Sequence, residues 1–338
     1  MVERIQIKNY KCYGDPGVDF RLKRINFLFG DNSAGKSTFL QLLRMALNGD
    51  VRKVDSDFSA TVFKAETLRQ IKMRVSFSGC PEEGKLPVYE YSKTKDAKGV
   101  FEYIGWTDPS DNRVVPAGND SNNDQTCKEW AKEYWPHVVH SEAARPSRLL
   151  HHEGMNSSLD ESVLLGSEAV RYVDRFFDAL NLPYSCKDRA TLRDRIFGVD
   201  VKRRNVGAGI DGLYETALKL FEWRKEKNGI LALEEPESHV NERQLSPLTM
   251  FLLSEVLAEQ ERQCVVECHS ELMILKVMQV VRDGRIGVTP DDIQILYVTK
   301  MKSGTEVREC PLDSNGSVQF WPDENGFFGE RDRILFED

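Results

Sequence analysis

The sequence lacks the features that mark several large classes of protein. No apolar run in its 338 residues approaches the roughly 18 residues that a membrane-spanning helix needs. The charged opening Met1–Arg4 contains no apolar core of the kind found in signal peptides. Internal repeats and low-complexity tracts are also missing. These absences exclude membrane, secreted and fibrous proteins.

An excess of basic charge and a framework of paired cysteines are missing as well. Lys and Arg total 46 against 54 Asp and Glu, which gives a net charge of −8. This balance argues against a protein whose whole surface binds phosphate, although it leaves a local basic patch open. The seven cysteines are scattered and odd in number, which indicates reduced thiols in the cytoplasm. The length allows about two domains, or one large domain with an insertion.

The two ends of the chain have the apolar pattern of an α/β fold. The run Ile25–Phe29 predicts a buried strand, and helical spacing follows it from about Gly35 to Gly49. From residue 229 onward strands alternate with helices, and the strands are Ile230–Leu233, Cys264–Val266 and Ile293–Val298. Alternation of this kind favours a parallel sheet covered by helices. We therefore expect both ends to form one α/β body, with the middle of the chain inserted between them.

The middle of the chain has other patterns. Residues 71–105 alternate and turn repeatedly, which predicts an antiparallel meander. The composition of 107–125 is typical of a loop, and periodicity predicts a helix over 167–180. The stretch 187–204 carries seven basic residues against three acidic ones. Two interpretations of this stretch stay open: it follows a nucleic-acid backbone, or it is a solvated helical face.

An unbroken G-x-x-x-x-G-K-S motif lies between the strand Ile25–Phe29 and the helix that follows it. Glycines let successive backbone N–H groups converge on a phosphate at the helix N-terminus. Lys36 would reach the β- and γ-phosphates, and the Ser37 hydroxyl would coordinate Mg²⁺. A glycine-rich turn with an accidental lysine is the alternative. The motif predicts ATP and Mg²⁺ as cofactors, bound by Gly30, Asp31, Asn32, Ser33, Ala34, Gly35, Lys36, Ser37 and the following Thr38.

Carboxylates follow the strand Ile230–Leu233. Glu234 would bind Mg²⁺ directly or through water, together with Ser37, and Glu235 would polarise the attacking water as a general base. His269 follows the next strand and would donate to the γ-phosphate. The alternatives are a solvated acidic strand end and an ordinary exposed histidine. We predict that Glu235 and His269 are the catalytic residues.

In combination, these motifs resemble a known family. Glu234–Glu237 followed by His269 and Ser270, and the opening Ile5–Lys11, are similar to the ABC-type ATPase heads shared by SMC proteins, DNA-repair ATPases and the overcoming-lysogenization-defect nucleases. The resemblance is closer still to compact ATPases of bacterial anti-phage operons, including the ATPase subunits of Septu-type systems. They share Val206–Ile210 and the segments 145–148 and 320–328.

The resemblance implies an architecture. It implies an α/β P-loop NTPase of ABC-ATPase type, with a mixed sheet flanked by helices, an antiparallel β lobe and a helical insertion. The chain would be a single domain, 1–338. Residues 1–49 and 205–338 would form the nucleotide-binding core, and residues 50–204 would supply the β-meander and the helical insertion.

The resemblance also implies an ATPase that dimerises around ATP or forms a higher homo-oligomer. Its turnover could be very slow. Gly207 and Gly209 would contact the γ-phosphate bound to the opposite subunit, although relatives usually have Ser-Gln where Asp211 and Gly212 stand. No nuclease motif is visible, so a nuclease or toxin in anti-phage defence would be a separate effector protein. DNA or a phage-derived molecule is a candidate trigger, and no membrane is involved. The alternatives are a non-hydrolysing, ATP-bound scaffold or sensor, and a DNA-repair ATPase.

Overall fold

The computed structural model describes residues 1–15, 17–48, 71–77, 86–93, 101–107, 114–116, 138–141, 165–226, 229–319 and 321. These residues form two sheets of six strands and one sheet of three, with helices against them. Within these ranges, no helix is long and apolar enough to cross a bilayer. Most of the predicted loop 107–125, and the segment 145–148, lie outside the described residues.

A mixed six-stranded sheet, the central sheet, forms the middle of the molecule. In spatial order its strands are β15 (Gly304–Glu309), β14 (Ile293–Met301), β3 (Ile25–Gly30), β13 (Gln263–Glu267), β12 (Ile230–Glu234) and β8 (Val138–Ser141). All neighbours are parallel except β15, which runs antiparallel at the edge. The parallel sheet that strand–helix alternation predicts is confirmed, and the strands predicted at 25–29, 230–233, 264–266 and 293–298 are its members.

Side chains of the central sheet alternate between two covered faces. Phe27 and Phe29 pack into a core with four helices, which are α2 (Ser167–Ala179), α3 (Ala208–Trp223), α4 (Glu242–Leu257) and α5 (Glu271–Arg282). Leu28 points the other way, into the core that contains α1 (Lys36–Asn48). Because helices or a second sheet cover both faces, the strands are continuous apolar runs. The helices predicted at 35–49 and 167–180 are confirmed.

The second six-stranded sheet is antiparallel and packs on the α1 side. In spatial order its strands are β2 (Val18–Arg21), β1 (Val2–Lys8), β4 (Ile71–Phe77), β5 (Leu86–Lys93), β6 (Phe101–Thr107) and β7 (Val114–Pro116). Ile5 and Ile7 of β1 join the same core as Leu28. The meander predicted at 71–105 is confirmed, and the predicted loop 107–125 contains one short strand, β7, built on the β-branched pair Val114-Val115.

The basic stretch 187–204 forms strands, so the interpretation as a helical face is wrong. Together with β9 (Tyr184–Cys186), the strands β10 (Thr191–Asp194) and β11 (Val199–Lys202) form an antiparallel three-stranded sheet. Arg193 lies opposite Asp200 in this register and donates to it at 3.0 Å. The basic and acidic residues therefore meet across a hairpin, where direct neighbours on two strands interact, and not along a helix.

Both sheets of six strands combine segments that are far apart in sequence. Strand β8 falls within the predicted insertion 50–204, and it pairs with β12 of the central sheet. Strand β1 falls within the predicted core segment 1–49, and it pairs with β4. The division of the single domain 1–338 into a core of 1–49 and 205–338 and an insertion of 50–204 stays a prediction.

Candidate functional site

The G-x-x-x-x-G-K-S loop connects the end of β3 with the start of α1, as predicted. Gly30 has φ +127°, and a Cβ atom there would lie 2.2 Å from the carbonyl oxygen of Val298. Gly35 has φ +115°, and its Cβ would lie 2.6 Å from Sγ of Cys12. Since L side chains avoid this backbone region, both glycines of the motif are required by the local conformation. Asp31, Asn32 and Ser33 form the exposed turn of the loop.

Three side chains from outside the loop hold it in place, two through its backbone and one through the side chain of Asp31. The Tyr13 hydroxyl donates to the carbonyl oxygen of Gly35 at 2.9 Å. The Thr305 hydroxyl donates to the carbonyl oxygen of Ala34 at 2.5 Å. Thr299 donates to Oδ2 of Asp31 at 2.7 Å. These bonds tie the loop to β15, to β14 and to the segment that follows β1, so the loop is anchored before any ligand binds.

Lys36 is the first residue of α1, and its side chain reaches back to the start of this loop. Its side chain is 3% exposed, and Nζ donates to the carbonyl oxygens of Gly30 at 3.1 Å and Asp31 at 2.8 Å. Burial lowers the pKa of the Lys36 ammonium, whereas the negative charges of Glu267 and Glu235 act to raise it. Lys36 and the acidic strand ends therefore lie close enough to interact, although about 200 residues of chain separate them.

Ser37 contacts a carboxylate that the sequence analysis missed. Its Oγ donates to Oε1 of Glu267 at 2.9 Å. Burial raises the pKa of Glu267 to about 7, and the hydrogen bond from Ser37 acts in the opposite direction. Glu267 ends the apolar strand β13 and pairs in register with Glu234 at the end of β12. The rule that identified Glu234, a carboxylate at the end of a buried strand, applies equally to Glu267.

Glu234, predicted as a metal ligand, is 9% exposed and ends β12. Thr38 lies beside Ser37 in the first turn of α1. The negative charge of Glu234 contributes to the raised pKa of Glu267, after burial. The two carboxylates are thus neighbours at one edge of the central sheet, because parallel strands end at the same edge.

Glu235 and His269, predicted as catalytic residues, lie next to each other. Oε1 of Glu235 is 3.6 Å from Nε2 of His269, and Oε2 accepts a hydrogen bond from Oγ of Ser238 at 2.9 Å. Glu235 has φ 43°, a strained conformation for a non-glycine residue that is common at functional sites. Burial lowers the pKa of His269, as does the charge of Lys36. The imidazole is therefore biased towards its neutral form.

Glu235, His269 and Glu267 form a cluster whose ligand atoms all lie within 4.8 Å of one another, a spacing that could hold a metal ion. Oxygen ligands of this type suit Mg²⁺. Oε2 of Glu267 is buried and has no hydrogen-bond partner among the described residues. A buried carboxylate oxygen without a partner is costly, and a cation beside it would offset that cost. The carboxylate oxygens of this cluster therefore fit a magnesium ion, whereas the imidazole nitrogen of His269 does not.

Glu237 is a second carboxylate that the sequence analysis left without a role. Its Oε1 accepts a hydrogen bond from the backbone N–H of His269 at 2.5 Å, and Oε2 is buried without a partner among the described residues. Burial raises the pKa of Glu237 to about 7 from its usual 4.5, against the hydrogen bond from His269. Glu237 fixes the backbone beside the predicted catalytic histidine.

The raised pKa of Glu237 predicts how stability depends on pH. Since the folded state holds this proton more tightly than the unfolded state, wild-type stability falls as the pH rises from about 4.5 to about 7. In Glu237→Gln this contribution is absent. Relative to wild type, the free energy of unfolding of the variant should rise by on the order of 2 kcal/mol between pH 5 and pH 7.5.

Urea unfolding of nucleotide-free protein at the two pH values measures this effect. Glu242→Gln is the matched control, because Glu242 is exposed in the first turn of α4 and should give the same difference from wild type at both pH values. A difference between Glu237→Gln and wild type that does not change with pH would contradict the prediction.

The two glycines predicted to face an opposite subunit differ in their surroundings. Gly207 is exposed at the N-cap of α3, and no atom of the described residues lies within 4 Å of an added Cβ. A Cβ at Gly209 would lie 2.2 Å from the carbonyl oxygen of His239, so Gly209 lets α3 approach the loop after β12. The prediction that both contact a second nucleotide stays a prediction, and only Gly207 has open space beside it.

Two family models match parts of this chain. A family model described as AAA domain matches residues 4–128, and one described as Protein of unknown function (DUF3696) matches residues 288–337. No curated protein matches the chain.

Three solved structures are similar over 92% of this chain. The SMC head domain from Thermotoga maritima has 11% identity and a TM-score of 0.57, with 99% of that chain covered. An SMC head bound to the C-winged helix domain of ScpA has 13% identity and a TM-score of 0.63, with 98% covered. A Pyrococcus furiosus Smc head domain with an extended coiled coil, bound to the C-terminal domain of ScpA, has 11% identity and a TM-score of 0.61, with 96% covered.

The fold is thus that of a P-loop ATPase, with a mixed sheet between helices and an antiparallel sheet, as the sequence analysis expects. Within that class, the chain has the fold of an SMC head domain.

Proposed function

We propose that this chain binds Mg²⁺ and ATP and hydrolyses the ATP. The observation that carries the proposal is the convergence of the Lys36 loop with the acidic ends of β12 and β13, which places Ser37 2.9 Å from Glu267. A site of this kind combines a cationic cradle for phosphates with carboxylates on the side where a metal ion and water would lie. Bound Mg²⁺ would neutralise charge on the β- and γ-phosphates.

Each residue of the site would have a separate role in binding or hydrolysing ATP. Lys36 would exchange its bonds to the carbonyl oxygens of Gly30 and Asp31 for bonds to phosphate oxygens. Glu235 would accept a proton from the attacking water at the carboxylate that Ser238 holds in place. His269, biased towards its neutral form, would donate a hydrogen bond to the γ-phosphate. Glu234 and Ser37 would hold the metal ion.

We further propose that two copies of the chain dimerise head-to-tail around ATP. Gly207 caps the N-terminus of α3 and has open space beside it. A helix N-terminus favours a nearby anion, so this end of α3 is suited to meet the phosphate bound to a second copy. Gly209 would act indirectly, by allowing α3 to pack closely against the carbonyl of His239.

The variant Gly207→Asp tests this function. An aspartate here fits the fold, since none of the residues that the structure describes lies near the added Cβ and Asp is a favoured N-cap residue, but its charge would face the triphosphate of the other copy. Wild-type protein should dimerise in light scattering when Mg²⁺ and ATP are added. Gly207→Asp should stay monomeric, with its thermal stability kept.

Gly166→Asp is the matched control. Gly166 caps α2 with φ −63° and ψ 151°, against −64° and 149° at Gly207, and it too has no atom within 4 Å of an added Cβ in the described part of the chain. Gly166→Asp should dimerise as wild type does. Dimerisation of Gly207→Asp at wild-type ATP concentrations would contradict the head-to-tail dimer, and a wild-type chain that binds no ATP would contradict the function itself.

The dimer would regulate a separate effector, a nuclease or toxin, in anti-phage defence. The resemblance to ATPases of anti-phage operons supports this part, and two of the similar SMC heads are bound to domains of ScpA. Cells that carry the chain with its neighbouring gene should resist phage. They should lose that resistance with Gly207→Asp but keep it with Gly166→Asp. Resistance conferred by the chain alone would contradict a separate effector.

A DNA-repair ATPase receives less support from the basic stretch 187–204. Four of its seven basic residues already have carboxylate partners: Lys187 and Arg193 with Asp200, Arg195 with Asp178, and Arg203 with Asp211. Charges paired in this way are less free to neutralise a phosphate backbone and release its counterions.

A further inference from the structure

Glu267 occupies an unusual position in this site. It is the last residue of β13, is only 3% exposed, and reaches the first turn of α1, where its Oε1 accepts the hydrogen bond from Oγ of Ser37. Its other oxygen, Oε2, is buried without a hydrogen-bond partner in the described part of the chain. Burying a carboxylate in this way costs free energy unless something positive lies beside it.

The two hydrogen-bonded oxygens of Ser37 and Glu267 are also at a spacing that suits two ligands of one magnesium ion. Magnesium prefers octahedral geometry with oxygen ligands at about 2.1 Å. Two ligands at neighbouring corners of such an octahedron are about 3.0 Å apart. Oγ of Ser37 and Oε1 of Glu267 are 2.9 Å apart. The two oxygens are therefore spaced as adjacent ligands of one ion.

The negative charges at this site also favour a bound cation. Glu234 and Glu267 pair in register at the ends of β12 and β13, and Glu235, which follows Glu234, has a carboxylate oxygen within 4.8 Å of one of Glu267. The Lys36 ammonium interacts with Glu267 and Glu235, and its Nζ is already bonded to two backbone carbonyls. A divalent cation bound beside Glu267 and Glu235 would offset the mutual repulsion of their charges.

We propose that Glu267 is a ligand of the magnesium ion, bound beside Ser37. The inference rests on the proposed function for the nucleotide but concerns the metal ion separately. Glu267 would give this chain a carboxylate in direct contact with the ion, in addition to Glu234. On metal binding, Oε1 would exchange the hydroxyl proton of Ser37 for the ion.

Manganese binding to the full chain tests this proposal, because Mn²⁺ takes the same oxygen ligands as Mg²⁺ and is visible by electron paramagnetic resonance. In the presence of saturating ADP, Glu267→Gln should weaken Mn²⁺ binding about tenfold to a hundredfold. Without metal, in EDTA, the same variant should bind ADP as well as wild type or better, because a negative charge near the phosphates is gone.

Glu237→Gln is the matched control. Glu237 also has a buried oxygen without a partner, and burial raises its pKa to about 7 as it does for Glu267, but it is outside the cluster of Glu235, Glu267 and His269. Its loss should change Mn²⁺ affinity less than about threefold. Glu267→Asp withdraws the carboxylate by one methylene and should weaken Mn²⁺ binding less than Glu267→Gln does. This second variant tests the same position if one of the two fails to fold.

The outcomes distinguish the proposal that Glu267 is a metal ligand from the proposal that the chain binds nucleotide. Mn²⁺ affinity that is unchanged in Glu267→Gln overturns the proposal, as does an equal loss of ADP affinity in EDTA, which would indicate a purely structural role. If wild type binds no ADP, the proposed function fails. Mn²⁺ titration without nucleotide then still decides the role of Glu267, since the variant should bind the ion at least several-fold more weakly than wild type.

Discussion

Glu235→Gln should lower the rate of ATP hydrolysis by roughly 10²–10⁴-fold, which is the usual contribution of a general base. The glutamine has the size of the glutamate and still accepts a hydrogen bond from Ser238, which lies 2.9 Å from Oε2. It takes no proton from water, however, so bound ATP persists. Because hydrolysis would release the dimer, Glu235→Gln should also accumulate as an ATP-bound dimer under conditions in which wild type cycles.

Single-turnover phosphate release and light scattering measure both effects. Glu242→Gln is the control, because it makes the same chemical change at an exposed position in the first turn of α4 and should hydrolyse ATP as wild type does. If wild type binds ATP but releases no phosphate, the chain is an ATP-bound scaffold or sensor, which is the alternative function. If Glu235→Gln hydrolyses ATP at the wild-type rate, another group is the base.

Much of the fold could be predicted because its signals are local. The run Ile25–Phe29, the following G-x-x-x-x-G-K-S motif and the helical spacing after it determine strand, loop and helix within about 25 residues. The same holds for the end of β12, where Glu234 and Glu235 directly follow a buried strand. Since parallel strands end at one edge of a sheet, these local elements were enough to predict that the loop and the carboxylates meet.

The features that sequence reasoning missed depend on contacts between distant segments. The pairing of β8 with β12 joins residues about 90 positions apart, and nothing in Val138–Ser141 alone indicates its sheet. For the basic stretch 187–204, a solvated helical face was one of two interpretations left open, because charge composition has no period of its own. Only the register that places Arg193 opposite Asp200 reveals two strands.

Glu267 and Glu237 were missed for another reason. Both were present beside residues that the sequence analysis did select, one in Glu267-Cys268-His269 and one in Glu234–Glu237. A carboxylate acquires a role from its burial and its partners, such as the bond between Ser37 and Glu267, and neither is visible in a motif. The end of a buried strand was the one signal available, and it applied to Glu267.

Lys36→Ala should weaken ATP binding about tenfold or more. Each hydrogen bond between a charged donor and a phosphate oxygen is worth about 1.5–3 kcal/mol, and about 1.4 kcal/mol corresponds to a factor of ten in affinity. The two bonds that Nζ makes to the carbonyl oxygens of Gly30 and Asp31 are lost in the free state of the variant. The measured loss of binding free energy is therefore the difference between the bonds of Nζ to phosphate oxygens and its bonds to carbonyl oxygens. The bonds to phosphate are the stronger ones, because both partners are charged.

Isothermal titration with ATP and Mg²⁺ gives the affinities, and two further variants isolate the ammonium group. Lys36→Met keeps most of the apolar stem in its buried position, and it should lose as much affinity as Lys36→Ala if charge is what matters. Lys11→Ala removes an exposed lysine that donates to Gln41 on the neighbouring helix, and it should bind ATP as wild type does. Both variants lose the two bonds from Nζ to the carbonyl oxygens of Gly30 and Asp31, so thermal unfolding must show that each variant is folded at the temperature of the titration. Wild-type affinity in a folded Lys36→Ala protein would mean that the loop binds no triphosphate, and the proposed ATPase would fail with it.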